Sequence, residues 1–234
     1  SPDPADHLLG LELEAVLRGF DPDPRVRSGG GLRATLDGEA RRLSASSALH
    51  ARAWWALGLL AARLEDTTAV RAARATLGAA ESAGPLGRLL DAALAEPHDP
   101  ALALRLLPVI PTLDQEADYA DPLEDAVLHL LRAEAQVRLD SLGEAARTLR
   151  WHEHTQISGH LTLAPQPGEL AWALGTLARW KRAQVLAASG AASAERCAVN
   201  RGVARLWAGG DPPFRARADS AARALAALQC AATP

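Results

Sequence analysis

The sequence predicts an all-α fold of about nine or ten helices and no sheet. Alanine and leucine dominate its apolar residues, whereas the 234-residue chain has two phenylalanines, one tyrosine and no methionine. Helix formers therefore far outweigh strand formers. Helix-start signals also recur along the chain, and the segments that follow them have a helical hydrophobic period. The length is ample for a buried core.

The helix starts are marked by Asp-Pro pairs. An aspartate accepts hydrogen bonds from the free N–H groups of the first turn, and a proline at the first helical position loses nothing by lacking its own N–H. Ser141 and Glu144 add the pattern of a capping box. The Asp-Pro pairs are Asp3-Pro4, Asp99-Pro100, Asp121-Pro122 and Asp211-Pro212.

Hydrophobic residues between these signals fall on single helical stripes. In the segment 123–139, the stripe has the spacing i, i+4, i+7, i+8 and i+12, which is a helical period. Glycines such as Gly190 stand where helices should end. The predicted helices are 5–18, 33–64 (with a possible break near Ser44), 67–80, 85–95, 99–109, 122–139, 142–155, 168–188, 193–208 and 212–229.

We expect two regions in the chain. Residues 1–31 form an N-terminal helix and a Pro- and Gly-rich linker, and residues 32–234 form a helical-repeat domain. Further loops are expected at 111–121 and 157–168, both rich in turn formers or acids. The hairpins of the repeat domain are predicted near 33–80, 85–110, 122–155 and 168–208, with 212–230 as a C-terminal capping helix.

Successive helix pairs begin near residues 48, 85, 122 and 168. The first two intervals are therefore about 37 residues, a period typical of α-solenoids. A single helical hairpin cannot bury its apolar face, so neighbouring hairpins must stack into a continuous core. The sequence thus predicts a right-handed array of antiparallel helix hairpins.

Three segments resemble tetratricopeptide repeats. Trp54, Leu57 and Gly58 form the Trp-x-x-Leu-Gly of a first repeat helix, although Val70 replaces the small residue expected twelve positions after the glycine. The segment 132–149 is similar to the same repeat, and the tail from residue 168 onward resembles a closing repeat and cap. This resemblance implies a concave face that binds proteins or peptides, and no catalytic groups of its own.

Composition excludes several classes of protein. The net charge of −3 lacks the basic excess typical of nucleic-acid binding, and no run of 18 apolar residues predicts a membrane span. All but one of the 25 basic residues are arginine, with Lys181 the exception, which is typical of a GC-rich bacterial genome. Because the sequence begins at Ser1, we expect a processed terminus and a periplasmic or extracytoplasmic location; the alternatives are a fragment and a cytoplasmic location.

A histidine cluster is the best indication of an enzyme. His152, His154 and His160 lie within ten residues and are candidate ligands of a metal. On a helix, however, positions i and i+2 point about 200° apart, so His152 and His154 converge only if the helix ends before them. Surface or interface histidines are the favoured interpretation, and we expect no metal and no cofactor. The acids Asp114, Glu116, Asp118 and Asp121 lack the pattern of a calcium loop.

Tryptophans and basic residues supply the partner-binding candidates. Trp is enriched at protein interfaces, and a basic cluster at residues 179–182 surrounds Trp180. Such a cluster is usually a solvated helix face, but it can also bind an acidic partner or lipid headgroups. Most of the six tryptophans are expected to pack between hairpins. The candidates for partner binding are Trp55, Trp172, Trp180, Lys181 and Arg182.

The two cysteines, Cys197 and Cys230, are a possible disulfide. They should lie toward the same end of two adjacent antiparallel helices, with an offset of about 9 Å at 1.5 Å per residue. A bridge would need a shifted helix or a frayed helix end, and two buried thiols are the alternative.

The sequence therefore favours a non-catalytic scaffold for protein–protein interaction. The narrower alternative is an extrinsic accessory subunit docked on a bacterial membrane complex of the respiratory or photosynthetic type. The second alternative is a metal-dependent enzyme that uses the histidines at 152–160.

Overall fold

The computed structural model describes residues 4–21, 34, 37–38, 41–42, 49–78, 82–108, 122–154 and 171–230. Within these ranges the regular structure is helical and no strand occurs, which confirms the all-α prediction. The chain divides into two compact units, Ser1–Ala135 (unit 1) and Gln136–Pro234 (unit 2). The predicted loops at 111–121 and 157–168, and the linker after Asp21, lie outside the described residues.

Most helices begin close to where the sequence predicts them, whereas one begins at His50, within the helix predicted over 33–64. Those of unit 1 are α1 Pro4–Gly19, α2 His50–Arg63, α3 Thr67–Leu77, α4 Pro85–Ala95, α5 Pro100–Leu106 and α6 Pro122–Arg138, whose last turn belongs to unit 2. Unit 2 continues with α7 Leu142–Thr148, α8 Trp151–His154, a π-helical turn Ala171–Gly175, α9 Thr176–Ala188, α10 Ser193–Leu206 and α11 Pro212–Ala227. Five helices start at a proline, as expected for the first helical position.

The segment 141–155 differs from its prediction in two ways. The helix predicted over 142–155 is interrupted at Leu149 and Arg150, where the Arg150 N–H donates to the carbonyl of Arg147, three residues back instead of four. The predicted capping box is not formed. The Ser141 hydroxyl contacts the Leu139 carbonyl, and Glu144 pairs with Arg147 instead of reaching back to the helix start.

Three helix pairs are joined by the same turn. At the ends of α2, α6 and α9, one residue adopts positive φ, and the next N–H reaches back to the third carbonyl from the helix end. This is the Schellman arrangement. The positive-φ residues are Glu65 before α3, Asp140 before α7 and Gly190 before α10. Within the two units, these tight turns make α2–α3 and α9–α10 helix hairpins.

Helix α2 lies at the centre of unit 1, where it packs against α1, α3 and α4. Its Trp55 is fully buried. Gly58 allows the closest approach, since a Cβ there would lie 2.9 Å from the Cβ of Ala73 and 3.1 Å from a Leu90 methyl. The small residue that faces this glycine is therefore Ala73, fifteen positions later, and not the residue at position 70.

Two arginines of α2 bind acids from other helices of unit 1. Arg52 donates to Glu12 of α1 at 2.5 Å and to Glu124 of α6 at 2.7 Å. Arg63, three turns later on the same face, donates to the Gly19 carbonyl of α1 and forms ion pairs with Glu96 and with Glu134 of α6. Each arginine thus connects α2 to both α1 and α6.

Arg63 is the more deeply buried of the two. Its side chain is 5% exposed, Glu96 is fully buried, and the guanidinium lies 4.7 Å from the centre of the Phe20 ring. Burial by itself lowers the pKa of Arg63, but the charges and hydrogen bonds of Glu134 and Glu96 outweigh it and raise that pKa. The guanidinium is therefore a permanent buried cation.

In unit 2, α9 packs against α7 and α10, and α10 packs against α11. Trp207 is fully buried beside Phe214, with ring centroids 5.1 Å apart. The structure joins Cys197 of α10 to Cys230, with 5.8 Å between their Cα atoms. Helix α11 ends before Cys230, and Gln229 reverses the chain with positive φ. This reversal at the helix end removes the offset that a continuous helix would impose.

No helix among the described residues is both long and apolar enough to cross a membrane.

Candidate functional site

An arginine-lined cavity in unit 2 is the candidate site. Its volume is about 380 Å³, within the range of small-ligand sites. Its walls come from the start of α8, from the middle of α9 and from the first half of α10. The lining residues are Arg150, Glu153, Arg179, Arg182, Glu195, Ala198 and Val199.

Helical spacing brings the two arginines of α9 to this cavity. Arg179 and Arg182 are three residues apart, so they lie on one face of the helix. The tight turn at Gly190 returns the chain antiparallel, which places Glu195 in the first turn of α10. A carboxylate in a first helical turn is also favoured by the helix dipole.

Arg182 is the centre of the ion-pair network. Its side chain is 6% exposed, and it donates to Glu153 Oε1 at 2.8 Å and to Glu195 Oε1 at 2.5 Å. Arg150 donates from Nε to Glu153 Oε2 at 2.8 Å, so Glu153 accepts from two arginines. Two arginines and two glutamates therefore neutralise one another.

Arg179 supplies the positive charge that the two described glutamates of the cavity do not neutralise. Within the described part of the chain, no group forms a hydrogen bond or ion pair with its guanidinium, which is about half-buried. Burial lowers the pKa of Arg179, the charge of Glu153 opposes that change, and the charge of Arg205 adds to it. The cavity thus holds a cation that is partly desolvated and close to a second arginine.

The described candidates for partner binding do not form one exposed surface. Trp55 is fully buried in the core of unit 1. Lys181 is buried, and Trp180 is half-buried with its Nε1 atom shielded from solvent. Arg182 lines the cavity, but its charge is already paired. The side chain of Trp172 lies outside the described residues.

Most of the predicted histidine cluster lies outside the described residues. His152 and His154 belong to α8, while their side chains and the whole of His160 lie outside the described part of the chain, as do the acids at 114–121. Among the described residues, no group of three or more histidine, cysteine or acidic side chains could hold a metal ion. The expected absence of a metal, and the alternative of a metal site at 152–160, therefore both stay predictions.

Sequence reasoning found the basic cluster at 179–182 but not the cavity. Arg179 belongs to that cluster, and its spacing from Arg182 is the signal that the two share a face. Arg150, Glu153 and Glu195 come from other parts of unit 2. Because their approach depends on how α8 and α10 pack on α9, no local pattern indicates it.

The chain matches no family model, no curated protein and no solved structure.

Proposed function

We propose that the protein is a non-catalytic helical-repeat scaffold that binds one or more other proteins. The observation that supports this most is the recurrence of one helix-to-helix turn at Glu65, Asp140 and Gly190. Repetition of one supersecondary unit favours a stacked array of the tetratricopeptide type, in which each hairpin needs its neighbours to bury its apolar face. Such arrays present extended surfaces to partners.

The candidate site agrees with a binding role. Arg150 and Arg182 pair with its two glutamates. Among the described residues, the remaining charge is the guanidinium of Arg179, which stays protonated and so is a poor acid–base catalyst. Guanidinium groups are instead enriched at protein interfaces. A scaffold that recognises acidic groups on its partner is the function that this chemistry supports best.

We place the scaffold outside the cytoplasm. The Cys197–Cys230 disulfide supports this placement, because disulfides persist in the periplasm and in secreted proteins but rarely in a reducing cytoplasm. An accessory subunit docked on a bacterial membrane complex is a narrower form of the same proposal, with the complex as the partner.

The test is capture of the partner in the native bacterium. A tagged chain is crosslinked in cells, purified in mild detergent and analysed by quantitative mass spectrometry, with an unrelated exported protein carrying the same tag as the control. We expect a defined protein in stoichiometric amount, and a membrane complex if the narrower form holds. Recovery of the chain alone, or of the chain with a stoichiometric metal ion, would contradict the proposal.

A further inference from the structure

We propose that the arginine-lined cavity binds a carboxylate of the partner protein, from an acidic side chain or a chain terminus, and that Arg179 is the residue that binds it. This inference rests on the scaffold function proposed above. It goes further in naming the chemical group recognised, the cavity that receives it and the residue that decides the affinity.

The charges of the cavity favour one more anion. Among the described residues, three arginines and two glutamates line it, a surplus of one positive charge. Arg150 and Arg182 already donate to Glu153 and Glu195, so the surplus lies on Arg179. Arg205 is close enough to act on Arg179 electrostatically. A desolvated cation beside another cation is costly, and a bound anion relieves that cost.

The same charges favour a carboxylate over a phosphate group. Glu153 and Glu195 line the cavity that the ligand would enter, and they repel a dianion more strongly than a monoanion. A carboxylate has one charge, and its two oxygens match the planar fork of a guanidinium. The single negative charge of a carboxylate also equals the surplus positive charge of the described lining residues.

The size and the apolar wall of the cavity suit a carboxylate with its carbon stem. A volume of about 380 Å³ exceeds what a lone carboxylate needs, since a water molecule takes up about 30 Å³ in the liquid. Ala198 and the buried Val199 form an apolar side of the cavity on α10. Methylene groups of an aspartate or glutamate side chain, or the terminal residue of a chain, can pack there.

Gly202 allows Arg179 to take its position. A Cβ at residue 202 would lie 3.0 Å from Cδ of Arg179 and 3.5 Å from its Nε, so the arginine stem lies directly across this turn of α10. An alanine at position 202 would displace the stem while keeping every charge of the cavity. Gly202 is thus a positioning residue for Arg179.

The experiment titrates the 234-residue chain with small probes at constant ionic strength and follows the arginine Nε–Hε signals by NMR. The probes are N-acetylglutamate amide for a side-chain carboxylate, N-acetylglycine for a terminal carboxylate, N-acetylglutamine amide as the neutral control, and inorganic phosphate. We expect saturable binding of one or both carboxylates, none of the neutral probe, and at least tenfold weaker binding of phosphate. Comparing the two carboxylates identifies the source.

Variants assign the binding to Arg179. Arg179→Gln should weaken carboxylate binding at least tenfold, Gly202→Ala should weaken it with the charge intact, and Arg223→Gln, which changes an exposed arginine of α11, should leave it unchanged. Circular dichroism checks that each variant is folded. If Arg179→Gln does not fold, Arg179→Lys replaces it in the titration. The inference is wrong if no carboxylate binds, if phosphate binds more tightly, or if the variants at 179 bind like the wild type.

These outcomes are separate from the fate of the scaffold proposal. If the captured partner is retained by Arg179→Gln and no carboxylate probe binds, the scaffold stands and the cavity inference falls. If a carboxylate probe binds but the chain has no protein partner in the cell, the cavity is a carboxylate site and the scaffold proposal falls.

Discussion

Arg63 is a counter-ion for two carboxylates of unit 1, those of Glu96 and Glu134. Its guanidinium forms ion pairs with Glu96 and Glu134 and also donates to the Gly19 carbonyl. Removing one partner of a buried ion pair is much more costly than the pair is worth, because the remaining charges stay desolvated. The arginine is therefore a better target for mutation than its surface counterparts.

We expect Arg63→Ala to lower the free energy of unfolding by about 3–5 kcal/mol. Urea unfolding followed by tryptophan fluorescence measures the loss, and Arg223→Ala, at an exposed position, should change it by less than about 0.5 kcal/mol. Since the pKa of Arg63 is raised, its contribution is present below the unfolded-state pKa of arginine and is lost only above the folded-state pKa. The loss should consequently be the same at pH 6 and pH 9, and a small or pH-dependent loss would contradict this account.

Gly58 tests how tightly α2 packs. In an open helix interior, replacing glycine by alanine stabilises by up to about 1 kcal/mol. At position 58 the new Cβ would lie 2.9 Å from the Cβ of Ala73, and overpacking of this kind typically costs about 1–3 kcal/mol. We expect Gly58→Ala to destabilise the protein by about 1 kcal/mol overall.

Gly10 is the matched control for Gly58. It lies within α1 and is exposed, and a Cβ added there would have nothing within 4 Å. Gly10→Ala should therefore stabilise the protein by about 0.5–1 kcal/mol in the same urea titration. Equal effects of the two substitutions would show that packing at Gly58 is looser than the structure indicates.

At the scale of elements, the same helix-to-helix turn is made by residues for which positive φ has different conformational costs. Positive φ is strained for most residues but not for glycine. Gly190 occupies this position between α9 and α10, whereas Asp140 occupies it between α6 and α7. Stability should therefore respond in opposite directions when a glycine is introduced into one turn and removed from the other.

We expect Asp140→Gly to stabilise the protein by about 0.5 kcal/mol, because the relief of strain exceeds the added chain entropy of glycine. Gly190→Ala should destabilise it by about 1 kcal/mol. Thermal and urea unfolding of both variants provide the measurement. Destabilisation by the glycine at 140 would mean that the aspartate side chain stabilises the turn in some other way.

The sequence predicts the helices better than the contacts between them. Proline fixes the first helical position locally, so the observed starts at Pro85, Pro100 and Pro212 agree closely with the predicted ones. The interruption at Leu149 and Arg150, where the Arg150 N–H donates to the Arg147 carbonyl, has no signal in the local sequence. Helix starts in this chain have local signals, whereas this break has none.

At the scale of the molecule, charge pairing was the least predictable property. The four acids bound by Arg52 and Arg63 are spread from residue 12 to residue 134, and many other acids of the sequence could have taken their places. Charge pairing in the candidate cavity of unit 2 is equally hard to predict. Arg179 and Arg182 lie on one helix, whereas Glu153 and Glu195 come from two other helices. Only the packing of helices selects these partners from many equivalent residues.

The disulfide is the covalent bond that distinguishes the two units. It closes a loop of 33 residues within unit 2 and ties Cys230, after the end of α11, to α10. Closing a loop of this size stabilises a fold by about 2–4 kcal/mol, chiefly by restricting the unfolded chain. Unit 1 contains no cysteine, so its own helices gain nothing directly from the bond.

We expect the Cys197→Ser, Cys230→Ser double variant to lose about 2–4 kcal/mol of unfolding free energy in unit 2. Hydrogen exchange read by mass spectrometry should show faster exchange first in α10 and α11, with the amides of α2 in unit 1 as the internal control. Wild-type protein in a thiol reductant should behave like the variant, whereas the variant should not respond to the reductant. A response of the variant, or equal loss of protection in α2 and α11, would show that the bond does not act within unit 2 alone.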